Sequence, residues 1–242
     1  MLCREFMEIG MNINAAIIDQ RLESVCDEIR ERANEELRIH DRERLKSLAF
    51  VYLCVKTLLD LPEEEAFDTL TEGGQDFGVD AIHVSEELEG EFRVSLFQGK
   101  YKRDLEGNAN FPESGINALI NATTAIFDPS SILDNINLRL KTKVEEIRSL
   151  IRDGYIPQVC LFACNNGLLW NDAAQSAIDR ANLGGQVTWE HVNHDRLVKI
   201  LQAMKPVNAT LLLSGKAIVE DFDFSRVMVG RIAVSEIASL IE

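Results

Sequence analysis

The chain has 242 residues, of which 46% are apolar and 27% charged, and its formal net charge is −15. This balance is typical of soluble globular proteins and excludes disordered and fibrous classes. The longest uninterrupted apolar run, Leu48–Val55, is far shorter than the ~20 residues that cross a bilayer, so no membrane partner is expected. The acidic total argues against indiscriminate nucleic-acid binding, although residues 97–152 are nearly neutral, with 8 basic and 7 acidic residues.

The cysteines indicate a reducing compartment. Their number is odd and no C-x-x-C pair occurs, which argues against a zinc knuckle and a redox motif. Cys160 and Cys164 lie in an apolar run typical of a strand, where free cysteine is a small core residue. A cytoplasmic location follows as the expectation.

Periodicity predicts the secondary structure in chain order. Apolar residues at helical spacing predict three N-terminal helices, at 13–38, 41–59 and 61–70. A glycine-rich loop, 71–78, precedes a β-hairpin of Val79–Val84 and Phe92–Tyr101. Further helices are predicted at 114–127, 131–152, 170–183, 194–203 and 234–241. Further strands are predicted at 157–163, 186–192, 209–213 and 226–232. This order predicts an α/β fold with a mixed central sheet flanked by helices.

The hairpin carries the residues that indicate chemistry. Because side chains alternate between the faces of a strand, Gln98 and Lys100 share a face at the end of the second strand. A turn around Leu88–Glu89 places Asp80 opposite about position 98. An acid, an amide and an amine therefore converge beside the glycine-rich loop, and Asp76 on that loop is a second oxygen ligand for a cation such as Mg²⁺.

Two interpretations of this cluster stay open on spacing alone. A half-buried carboxylate is costly unless it is paired or bound to a cation, and Lys100 is a candidate partner for Asp80 in a structural ion pair. The alternative is that Lys100 neutralises a phosphate in a transition state or assists an attacking water. The loop matches neither the EF-hand calcium loop nor the phosphate-binding P-loop.

The pattern D-x₁₇-Q-x-K, formed by Asp80, Gln98 and Lys100, resembles the PD-(D/E)xK restriction-endonuclease-like superfamily, in the variant where glutamine replaces the second acid. The segments T-E-G-G-Q-D-F-G-V-D-A-I-H-V and L-F-Q-G-K-Y are similar to the N-terminal region of abortive-infection phage-resistance (AIPR) proteins. The residues Val227–Ile232 resemble the beginning of that family's larger C-terminal region, so we expect the chain to be a fragment of a longer protein or a stand-alone nuclease-like domain.

The resemblance implies a restriction-endonuclease-like core of order αβββαβ and a Mg²⁺ (or Mn²⁺) cofactor. Asp80 is then the metal-binding acid, Gln98 takes the place of the second acidic ligand, Lys100 positions or activates water, and Asp76 is a further ligand. The superfamily often adds an acid from the preceding helix. Spacing does not choose among Glu35, Glu36, Asp41 and Glu43.

The three residues after the motif are candidates for nucleic-acid contact. Tyr101 has a ring that stacks on a base, while Lys102 and Arg103 carry charges that pair with phosphates. A solvated strand end is the alternative interpretation of these residues.

The expected domains are N-terminal helices packed on the core (1–60), a nuclease core (61–205), and C-terminal strands with a helix (206–242). The first hypothesis is a metal-dependent DNA endonuclease of antiviral defence. The second is a nuclease-like module that binds DNA, RNA or a partner without cutting. The third is an assembly role, with helix 13–38 as the element of a homodimer.

Overall fold

The computed structural model describes residues 10–71, 76–131, 133, 136–203, 210–222 and 225–235. The chain divides into two compact units, residues 1–201 and 202–242. The larger unit contains elements in the order α1 (Ile13–Glu36), α2 (Arg42–Leu59), α3 (Glu63–Asp68), β1 (Ala81–Val84), β2 (Glu91–Lys100), α4 (Glu113–Phe127), α5 (Leu138–Arg152), β3 (Ile156–Asn165), α6 (Asp172–Ala181), β4 (Val187–Val192) and α7 (His194–Ala203), of which α7 runs past the boundary between the units. The smaller unit contains the antiparallel pair β5 (Ile218–Phe222) and β6 (Ser225–Val229). Within the described ranges, no helix is long and apolar enough to span a membrane.

The central sheet has four strands in the order β1-β2-β3-β4. The β1–β2 pair is antiparallel, whereas β2–β3 and β3–β4 are parallel, which confirms the α/β class and the mixed sheet. Parallel neighbours require a crossover connection, and α4 with α5 provides it between β2 and β3, as α6 does between β3 and β4. Two helices thus separate the second and third strands, where the sequence predicts helices at 114–127 and 131–152.

Helices cover both faces of this sheet. One face packs Ala81, Phe97 and Phe162 against α1 and α2, with α7 at its edge. The opposite face packs Ile82 and Leu96 against α4, α5 and α6. Alternate residues of β1 and β2 therefore belong to different cores, as strand geometry requires. The N-terminal helices lie in the same compact unit as the sheet.

Two elements begin or lie elsewhere than predicted. Helix α5 begins at Leu138 rather than at 131 because Asn137 caps it, its side chain accepting a hydrogen bond from the Leu140 N–H at 3.0 Å. The predicted strand 209–213 is reduced, in its described part, to an isolated bridge between Leu213 and Ile232, and β6 pairs instead with the unpredicted strand β5. Residues 72–75 of the glycine-rich loop and 236–241 of the last predicted helix lie outside the described residues.

Candidate active site

A polar cleft of about 400 Å³ lies where β2 and β3 end. Four parts of the chain line it: α2, the turn before β1, the end of β2 with the loop that follows, and the end of β3. Since β2 and β3 are parallel, their carboxyl-terminal residues Lys100 and Asn165 lie side by side at this edge of the sheet. The cleft is therefore a product of the topology as well as of the hairpin.

Asp80 and Gln98 are in contact at the edge of this cleft. The β1–β2 register pairs Ala81 with Phe97, so Asp80 lies opposite Gln98, as the hairpin geometry predicts. The Gln98 side-chain amide donates a hydrogen bond to Asp80 Oδ2 at 2.5 Å, and the Gly99 backbone N–H donates to the same oxygen at 2.6 Å. The carboxylate is thus fixed to β2 through one of its two oxygens.

The charge of Asp80 is incompletely balanced by the protein. Burial raises the pKa of Asp80 above its ordinary value, although the Gly99 hydrogen bond and the positive charge of Lys100 act in the opposite direction. Lys100 lines the cleft with Asp80, and no hydrogen bond or ion pair links its amine to any residue that the structure describes. The structural ion pair that the sequence suggested is therefore not formed, because the Lys100 amine is not within hydrogen-bonding distance of the Asp80 carboxylate.

Asp76 lies on a tight turn that leads into β1. Its Oδ1 accepts a hydrogen bond from the Gly78 N–H at 2.9 Å, and its carbonyl oxygen accepts one from the Val79 N–H at 3.0 Å. Phe77 and Gly78 both have left-handed backbone angles, with φ of 58° and 77°. Position 78 requires glycine, because a Cβ there lies 2.6 Å from the Cβ of Ala118. The turn aims Asp76 at the cleft, which Asp76 lines.

The three candidate nucleic-acid contacts have different environments. The Tyr101 hydroxyl donates a hydrogen bond to Asp19 of α1. The pKa of Tyr101 is raised mainly by burial, and secondly by this hydrogen bond. Tyr101 is among the residues that line the cleft, and its ring packs 5.8 Å from the ring of Phe50. Lys102 is exposed at the cleft, whereas the exposed Arg103 pairs with Glu43 and does not line the cleft.

The upstream acids left open by the sequence have other roles. Glu36 pairs with Arg139, Glu43 pairs with Arg103, and Asp41 caps α2 by accepting hydrogen bonds from two backbone N–H groups. Glu35 is exposed on α1. None of the four lines the cleft, to which α2 instead contributes Ser47 and Val51.

Two asparagines at the end of β3 were not among the residues singled out from the sequence. The Asn166 side chain accepts a hydrogen bond from the Lys102 N–H at 2.8 Å and donates one to the Lys102 carbonyl at 2.6 Å. The Asn165 side chain donates to the carbonyls of Ala109 and Leu168. They hold the loop after β2 against the cleft. The sequence signal that could have identified them is a pair of polar residues directly after an apolar strand.

The donors at the cleft suit a hard divalent cation. The structure contains no cluster of three or more His, Cys, Asp or Glu side chains with metal-binding geometry in its described ranges. Mg²⁺, however, is usually held by one or two carboxylates together with water and substrate phosphates, and Asp80 with Asp76 supplies that number. Gln98 turns its NH₂ group toward Asp80, so its oxygen reaches a cation beside Asp80 only after the amide rotates.

Comparison of the chain with protein-family models, with curated proteins and with solved structures yields no match. The chemistry of the cleft is therefore inferred from its own residues.

Proposed function

We propose that the chain is a metal-dependent endonuclease domain that hydrolyses phosphodiester bonds in DNA, within a cytoplasmic phage-defence protein of the abortive-infection type. The observation that carries the proposal is the grouping of Asp80, Gln98 and Lys100 at one end of the sheet, beside a polar cleft; among the described residues the Lys100 amine has no partner. The D-x₁₇-Q-x-K resemblance adds the restriction-endonuclease-like core to this proposal.

Each residue has a role that follows from its environment. Asp80 and Asp76 are the oxygen donors that hold Mg²⁺ or Mn²⁺, and burial of Asp80 favours a bound cation because it leaves negative charge uncompensated. The metal, when bound, supplies Lewis acidity and lowers the pKa of a coordinated water. Lys100 adds positive charge where the phosphate becomes more negative, and its amine orients the attacking water.

Other residues position these groups and the substrate. Gln98 and the Gly99 N–H fix the rotamer of Asp80 by donating to one of its oxygens. The Asn166 side chain is hydrogen-bonded to both the N–H and the carbonyl group of Lys102. The exposed Lys102 side chain is thereby held at the cleft, where it contacts the phosphate backbone in this proposal. Tyr101 lines the cleft with its hydroxyl bound to Asp19, and it is the aromatic residue that contacts a base in this proposal.

The alternative is a nuclease-like module that binds nucleic acid or a partner without cutting. The observation that favours it is the amide at position 98, which is neutral and donates to Asp80 instead of presenting an oxygen with it. A site with one fewer negative ligand binds a divalent cation more weakly.

A plasmid-nicking assay with Mg²⁺ and with Mn²⁺ distinguishes the two functions. We expect metal-dependent nicking by the wild type and its loss in Asp80→Asn and Lys100→Ala, since each removes one charge from the cleft. Asp153→Asn and Lys141→Ala, exposed residues on or beside α5, are the matched controls. Nicking that survives both cleft substitutions contradicts the site, and DNA binding without nicking by the wild type favours the module.

A further inference from the structure

A second concavity lies on the sheet face that packs against α2, beyond the end of that helix. It is a groove of about 680 Å³, within the range of about 300–1,000 Å³ that is usual for small-molecule sites. Ser95 of β2 and Cys160 of β3 are register partners and lie in its lining. Leu58 and Leu59 border it from the end of α2, as Ile200 does from α7. The groove thus combines an apolar border with polar residues on the strands.

This groove is separate from the cleft. Ser95 precedes Lys100 by five residues on β2, a distance of about 17 Å along a strand. Between them Phe97 stacks on Phe162, with ring centroids 4.4 Å apart, beneath the buried side chains of α2. A ligand in the groove therefore does not reach Asp80 or Lys100.

The Ser95 hydroxyl has no hydrogen-bond partner among the described residues. The residue is 0% exposed, and its Oγ makes no hydrogen bond to any residue that the structure describes. Buried hydroxyl groups are nearly always hydrogen-bonded, because a lone one loses its water without compensation. The unpaired hydroxyl belongs to a residue of the groove lining, so a ligand group in the groove is a candidate for the missing partner.

The charges of the groove favour an anion. Arg93 is exposed at the groove, and its guanidinium makes no ion pair or hydrogen bond within the described part of the chain. Arg196 is neutralised by Glu190, at 2.5 Å, so the lining has one uncompensated positive charge. This is a local reversal in a chain whose net charge is −15. A free guanidinium binds carboxylate and phosphate groups through two parallel hydrogen bonds.

We propose that this groove binds a small organic oxyanion, namely a carboxylate or phosphate group on an apolar or planar body. Arg93 binds the oxyanion, Ser95 donates a hydrogen bond to it, and Leu58, Leu59 and Ile200 cover the body. The site is independent of the proposed nuclease activity, because its residues are distinct from those of the cleft.

Amide NMR titration of the full chain tests the proposal with three probes: inorganic phosphate, adenosine monophosphate and benzoate. We expect saturable shifts at Arg93, Ser95 and Cys160 with at least one organic probe, and weaker binding of inorganic phosphate. Arg93→Gln is expected to weaken the organic probe at least about tenfold, because a charge-assisted contact is lost. Arg152→Gln on α5 and Lys100→Gln in the cleft are the controls and leave these shifts unchanged.

The proposal is overturned if no organic probe shifts the groove, if inorganic phosphate binds as tightly as both organic probes, or if Arg93→Gln binds like the wild type. Loss of the shifts in Lys100→Gln also overturns it, because the probe then occupies the cleft.

Ser95→Ala gives a second measurement that separates a ligand contact from a structural one. Removal of an unpaired buried hydroxyl is expected to raise the Tm of the free protein by about 2–4 °C. The same substitution is expected to reduce the Tm increase that the organic probe produces. A lower Tm of the free variant, or an undiminished increase with the probe, contradicts the assignment of Ser95 to the ligand.

Discussion

Gly99→Ala tests how tightly α2 and β2 are joined at the cleft. A Cβ at position 99 lies 2.6 Å from Val51 Cγ2 of α2, so this gap must widen to about 3.4 Å for ordinary contact. Val51 belongs to the buried run Leu48–Val55, whose side chains leave the helix little freedom to move away. The substitution therefore forces β2 to shift at the residue whose N–H holds Asp80.

The expected cost in the free energy of unfolding is about 0.5–2.5 kcal/mol. Overpacking of a core destabilises the folded state by about 1–3 kcal/mol. Replacing glycine with alanine also lowers the conformational entropy of the unfolded chain, which stabilises the folded state by about 0.4–1 kcal/mol. Val51→Ala alone costs about 1.5–3 kcal/mol through lost burial and a cavity. In the double variant the new methyl group occupies space that Val51 vacates. Its cost is expected to fall short of the sum of the single costs by at least about 1 kcal/mol.

Urea unfolding followed by tryptophan fluorescence measures this cycle, because Trp170 and Trp189 both lie in the larger unit. Val55→Ala combined with Gly99→Ala is the matched control, since Val55 is also buried in α2 but lies one helical turn farther along. Additive costs for the Val51 pair refute the reasoning, as does an equal coupling for the Val55 pair.

Two further predictions concern charge. Burial, and secondly the positive charge of Arg196, lower the pKa of His191 to about 4. Between about pH 6.5 and pH 4, His191 is therefore protonated in the unfolded chain but neutral in the folded protein. Stability should fall as the pH decreases from about 6.5 to about 4, with His191 contributing about 1–2 kcal/mol between pH 7 and pH 5. His191→Gln should remove that share in urea titrations at both pH values, and an unchanged pH dependence contradicts the assignment. Gln98→Glu replaces a donor to Asp80 with a like charge. In EDTA it should cost about 2–3 kcal/mol, and Mg²⁺ should recover stability in this variant more than in the wild type. A thermal-shift comparison in which Mg²⁺ acts equally on both proteins contradicts the proposed cation site.

The arrangement of the motif follows from local geometry and was accessible from the sequence. A hairpin with a short turn and strict alternation of side chains is enough to place Asp80 opposite Gln98. The observed β1–β2 register places these two residues opposite each other. The α/β class was likewise predictable, since helical and strand periodicities alternate along residues 13–203. The tail was harder to interpret. Its short apolar runs suit several pairings, and β5, with acids at 220 and 221, has a weak strand signal.

The surroundings of the motif were decided by long-range packing. Crossover helices bring the end of β3 beside β2, and only this contact lets Asn165 and Asn166 hold the loop at residues 102–109. The same packing ties the Tyr101 hydroxyl to Asp19, 82 positions away in the chain.

The sequence by itself thus determined which residues face each other across the hairpin, because a strand has a fixed period of two. The tertiary structure alone decided what encloses them. It also left the buried Ser95 hydroxyl, on the same sheet, without a hydrogen-bond partner among the described residues. The physical reason is that hydrogen-bond satisfaction and enclosure depend on neighbours that are distant in the chain, and no local pattern of residues encodes those neighbours.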